Sequence, residues 1–203
     1  MAERVGEVIE SRSTEFVAQC YRLHEPPALG SLVRVRKDEI DILAVVSDAS
    51  TGPMQPGRSP VARGLDEATE EDLYAHNPQL DKLLRSLFQA QIVGYAPVPG
   101  GDGAGPEGTA RHRLPPRPPQ IHAFVYRCEG EELSGFCHSF DFLTILIRAS
   151  VPAGDQVISA CLSLLSRGHE DPRQYLVRAG KELSLMLAGE PQRLNALLKG
   201  LRP

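Results

Sequence analysis

Four short apolar runs, each broken by turn residues, fill residues 4 to 50 and constrain the fold more than any other feature. Val5, Val8 and Ile9 begin the first. Thr14 to Tyr21 forms the second, with Phe16, Ala18 and Cys20 on one face at a period of two. Glu25-Pro-Pro-Ala-Leu-Gly30 then interrupts the chain, because proline removes a ladder donor and glycine admits positive φ. Leu32, Val33 and Val35 mark a third run. The fourth, Ile40 to Val46, is apolar enough to be covered on both faces. Strands this short and this closely spaced favour a closed or sandwiched β unit. Its core must come from Val, Leu, Ile and Ala, since Trp is absent and aromatics make up only 5% of the chain.

Beyond residue 50 the pattern loosens. Residues 50–64 read as a loop, and the acids Asp66, Glu67, Glu70, Glu71 and Asp72 read as a solvated first helical turn, favoured there by the helix dipole. Asn77-Pro78 predicts the start of a helix through Leu80, Leu83, Leu84 and Leu87. Strand character returns over 88–98. The glycine-rich stretch 100–108 reads as a linker, since such composition does not offset its ordering entropy. Pro115, Pro116, Pro118 and Pro119, interleaved with Arg111, Arg113 and Arg117, predict an extended polyproline-like arm. Ile121 to Arg127 alternates as a further strand.

From Ser139 the period moves toward helix. Phe140, Leu143, Leu146 and Ile147 fit either a helix or a buried strand. Val157, Ile158, Cys161, Leu164 and Leu165 make a helical stripe. Asp171 caps a helix opened by Pro172, with Tyr175, Leu176, Ala179, Leu183 and Leu187 inward, and Pro191 opens a last one holding Leu194, Leu197, Leu198 and Leu201. The expected fold is α+β: a small N-terminal β-barrel over 1–135 with an inserted loop and helix, and a C-terminal helical unit over 136–203. Flexible loops are expected at about 50–65 and 100–119.

Arg4-Val-Gly-Glu-Val-Ile-Glu-Ser, Thr14-Glu-Phe-Val-Ala, Leu29-Gly-Ser-Leu-Val-Arg-Val and Ile42-Leu-Ala-Val-Val together resemble the HAS barrel. That barrel is shared by HerA-type DNA translocases and rotary ATP synthase subunits. Gln89-Ala-Gln-Ile-Val-Gly-Tyr and the proline-rich arm before Ile121 are similar to the closing part of the HerA version. The resemblance spans roughly the first two-thirds of the chain. It implies a module that self-associates into a ring crown or docks on a protein partner such as a HerA-like ATPase.

In those families an ATPase domain follows the barrel. Its phosphate loop needs Gly-x-x-x-x-Gly-Lys-[Ser/Thr], whose backbone N–H groups wrap the phosphates. No such string occurs. Gly180-Lys181 is followed by Glu182, and Tyr175 stands where the first glycine belongs. The helical tail is also short for a nucleotide-binding domain. Neither catalysis nor a cofactor is therefore expected.

His122, Cys128, Cys137 and His138 lack the paired spacing of a structural zinc site, and adjacent Cys137 and His138 would point oppositely on a strand, so no metal is expected. Gly-x-Ser-x-Gly is absent, and Ser163, Ser166 and Ser184 fall on expected helices. The alternative to an assembly module is a nucleic-acid accessory protein that lays Arg111, Arg113 and Arg117 against phosphates. A net charge of −4 argues mildly against it. The tail adds Arg167, Arg173, Arg178, Lys181, Arg193, Lys199 and Arg202 against Glu170, Asp171, Glu182 and Glu190, only a mild basic excess. The acidic N-terminus is unlike a secretory signal, and the longest apolar stretch, 140–147, is far short of the roughly 20 residues that cross a bilayer. A cytoplasmic protein without membrane contact is expected, its four cysteines (Cys20, Cys128, Cys137 and Cys161) reduced and buried.

Overall fold

The computed structural model describes residues 3–55, 57, 59–98 and 110–201. The strands β1 (Arg4–Ser11), β2 (Glu15–Cys20), β3 (Leu32–Lys37), β4 (Ile40–Pro53), β5 (Leu84–Pro97) and β6 (Phe124–Arg127) close into an antiparallel barrel in the order β1-β2-β5-β4-β3-β6, with β6 returning to β1. Period-two alternation does the sorting. On β2, Phe16, Ala18 and Cys20 point inward, and they meet Val8, Val33, Val35, Phe88, Ile92 and Val125 in a barrel interior of mostly aliphatic side chains.

β4 shows why its central run is apolar on both faces. Ile42, Ala44 and Val46 fill the barrel, while Leu43 and Val45 point outward into a second core. There Leu32 and Val93 join them against the helices α4 (Phe142–Arg148), α5 (Gly154–Ser166), α6 (Pro172–Met186) and α7 (Pro191–Gly200). The helices therefore fold onto the barrel wall. Tyr175, Leu176, Ala179, Leu183 and Leu187 all face inward, and the Asp171 carboxylate accepts from the Gln174 N–H at 2.9 Å to cap α6.

The turn before β3 sets how closely the helices approach. Gly30 has φ +81°, and a Cβ there would lie 2.4 Å from the Cys161 nitrogen and 2.7 Å from the Ala160 carbonyl carbon. Only glycine satisfies both the backbone conformation and the contact with α5.

Several boundaries differ from the sequence expectation. β4 runs on through Pro53, because β5 continues beside it and pairs Ser50 with Leu87 and Pro53 with Leu84. The helix expected through Leu87 is only the short α2 (Leu80–Leu83); Leu84 already belongs to β5, where ladder pairing overrides leucine's helix preference. Asn77 closes the preceding α1 (Glu70–His76) rather than opening α2, whose N-terminal flank is Gln79. β6 starts at Phe124, not Ile121, and Phe142–Arg148 is helical. A short helix α3 (Glu131–Phe136) follows β6, where the sequence shows no helical stripe. The glycine-rich stretch 100–108 lies outside the described residues.

Candidate docking surface

Two features of the barrel surface bring together the residues singled out by sequence. The first is the arm that carries Arg111, Arg113 and Arg117. Arg111 exchanges both backbone hydrogen bonds with Tyr95 on β5, at 2.7 and 3.1 Å. Arg113 donates from Nε and Nη2 to the Tyr95 hydroxyl at 3.1 and 2.9 Å. Burial raises the Tyr95 phenol pKa, but Arg111 and Arg113 outweigh it and hold the phenol below its ordinary value. Arg117 remains exposed.

Pro115 and Pro119 are buried, and the Ser11 hydroxyl donates to the Pro119 carbonyl at 2.6 Å. The arm therefore follows the barrel wall from β5 toward β6. Two of its three arginines hold that path, and Tyr95 carries no motif that marks it as their partner.

The second feature is the insert between β4 and β5. Beyond Leu87, where the β2–β5 ladder ends, the two strands run on as a two-stranded ribbon, pairing Thr51 with Ser86 through Pro53 with Leu84. The ribbon carries residues 54–83. Within them α1 is built by local capping. The Asp72 N–H donates to the Thr69 hydroxyl, and that hydroxyl donates to the Asp72 carboxylate at 2.8 Å. The Asn77 side chain closes the other end on the Leu73 carbonyl. His76 donates to Glu67 at 2.9 Å, and the Tyr74 hydroxyl is hydrogen-bonded to His24 at 2.6 Å, tying α1 to the turn after β2.

What the insert lacks is a core. From Asp48 to Arg85 no described residue is buried, whereas α4, α5 and α6 each bury several. Val61 is 76% exposed and Leu65 96%. A cavity of about 390 Å³ opens among Pro53, Met54, Pro60, Val61, Leu80, Leu83 and Leu84, with Arg63 and Lys82 at its edge. Of the acids expected in a helical first turn, Glu70, Glu71 and Asp72 occupy one, whereas Asp66 and Glu67 precede the Thr69 cap; all five belong to a larger charged surface. Residues 66–81 hold six acids and no lysine or arginine. The sequence signal for this surface was two lone aliphatics, Val61 and Leu65, set among Pro, Gly and Ser.

The cysteines and histidines weighed for metal lie apart in role. His122 pairs with Glu7 on the barrel surface, while Cys128 is buried where its N–H bonds to the Leu32 carbonyl. Cys137 is buried beside Tyr175, and His138 stacks on His112 with centroids 5.4 Å apart. Among the described residues no three His, Cys, Asp or Glu side chains converge to hold a metal ion. No described helix is long and apolar enough to cross a membrane.

The fold and this surface define an α+β protein built on a closed six-stranded antiparallel β-barrel, with a ribbon-borne insert and a helical layer. No protein-family model matches the chain, and no curated protein matches it either.

Proposed function

We propose that this chain is a non-catalytic β-barrel interaction module of the HAS-barrel kind, and that it docks through the insert on its β4–β5 ribbon. One observation supports the reading above others. The insert forms two helices and exposes Val61 and Leu65, yet buries none of its described residues. Helices of seven and four residues are marginal in water and depend on tertiary packing. The barrel does not supply that packing, so a partner does. Apolar surface rimmed by charge is the usual composition of such a patch. The resemblance to translocase barrels makes a HerA-like ATPase one partner class, with the ring crown as the other mode of assembly.

Amide hydrogen exchange on the dilute full-length chain tests this. Residues 59–83 should exchange far faster than β2 and β5, whose ladders close the barrel. Protection of α1 and α2 equal to that of β2 in the dilute chain would show the insert to be self-sufficient and would end the docking reading.

A further inference from the structure

The chain carries a second uncovered surface, opposite in charge to the insert. α6 buries Tyr175, Leu176, Ala179 and Leu183, and its other face presents Arg173, Val177, Arg178, Lys181 and Leu185 to solvent. Val177 is 52% exposed and Leu185 74%. The stripe from Arg173 to Leu185 is about 18 Å long at the rise of an α-helix. Among the described residues none of its three cations takes part in an ion pair. The insert mirrors it: Asp66, Glu70, Glu71 and Asp81 are likewise without ion pairs there, and Val61 and Leu65 stand exposed in the same insert, either side of Arg63, which donates to the Asn77 side chain. Within one copy the two surfaces leave each other uncovered, as these exposures require.

We infer that the insert of one copy docks on the α6 face of a second copy. The inference rests on the docking role proposed for the insert and names its partner. Cations meet acids, and two aliphatics on each side remove their surface from water. Complementary potentials of this kind set partner choice and register. Because the two faces differ, two copies can exchange the contact reciprocally about a two-fold axis and close as a dimer, or pass it on from copy to copy into a ring or filament.

Light scattering of the full-length chain across a concentration series tests the inference with two variants. Arg178→Glu with Lys181→Glu reverses the helix face; Glu70→Lys with Glu71→Lys reverses the insert. The wild-type mass should rise from the monomer to a dimer or a larger assembly. Each variant alone should lose association by about a hundredfold in Kd, since like charges then face each other. An equimolar mixture pairs the intact insert of one variant with the intact helix face of the other, and the reversed insert with the reversed helix face, so it should associate as the wild type does. A chain carrying all four substitutions should associate again.

If Glu70→Lys and Glu71→Lys melt α1, Leu65→Asp provides an insert variant outside that helix. A wild-type chain that stays monomeric, or an assembly that survives the α6 reversal, overturns the inference. In either case rapid exchange over residues 59–83 would leave the docking role intact, and protection of those amides in a monomer would remove both.

Discussion

Substitution of Gly30 by alanine tests whether the contact between the β3 turn and α5 limits how the helical layer seats on the barrel. Two costs combine there. The first is conformational: φ is +81°, and an L-residue in the left-handed region costs about 1–2 kcal/mol. The second is steric. The new Cβ would sit 2.4 Å from the Cys161 nitrogen and 2.9 Å from the Ala160 Cβ. Two of the three nearest atoms are helix backbone, which does not swing aside as a flexible side chain does. α5 must retreat by about 1 Å to restore ordinary contact, and overpacking of this sort costs about 1–3 kcal/mol.

The expected loss for Gly30→Ala is therefore about 2–5 kcal/mol, read as a fall in the urea midpoint followed by far-ultraviolet circular dichroism. For a chain of this length a loss of about 3 kcal/mol lowers Tm by roughly 6–12 °C. Gly57→Ala is the control. Gly57 has the same φ, +81°, but nothing lies within 4 Å of its Cβ position, so the steric cost is absent. If Gly30→Ala loses no more stability than Gly57→Ala, the close approach of α5 is not limiting and the steric argument fails.

Two further expectations concern titration and thiol access. Burial, then the neighbouring His138 charge, lowers the His112 pKa below its ordinary 6.5, and burial with Arg178 does the same for His169. The unfolded chain thus binds these protons first, so stability is kept above pH of about 6.5 and is lost as pH falls below it. His112→Gln keeps a donor for the Phe136 carbonyl, which His112 Nε2 reaches at 3.1 Å, and should flatten that slope in urea titrations; an unchanged slope refutes the assignment. Burial pushes the Cys20 and Cys137 thiols up to about 11 and raises Cys128 and Cys161 further. A disulfide reagent at mildly alkaline pH should label none of the four in the native chain and all four in denaturant. Rapid labelling without denaturant would contradict the burial.

Local chemistry made much of this protein legible before its structure. Period-two alternation located β2, and proline and glycine located the turn at Gly30. Asp171-Pro172 marked the start of α6, whose inward face follows from spacing alone. Each of these signals acts over a few residues, and the sequence holds it in full. Where partners are distant, the local signal misled or fell silent. Leu84 and Leu87 suit a helix, yet long-range pairing with Pro53 and Ser50 makes them strand. The path of the arginine arm depends on Tyr95, which is sixteen residues before Arg111 and marked by no motif.

The surfaces divide in the same way. The sequence on its own determined that 66–81 is acidic and that α6 is amphipathic. That the insert stands on a ribbon beyond the barrel with none of its described residues buried, and that the α6 face away from the core is uncovered, follows from tertiary packing. Charge is a property of the residues themselves. Exposure is a property of everything that does or does not fold against them.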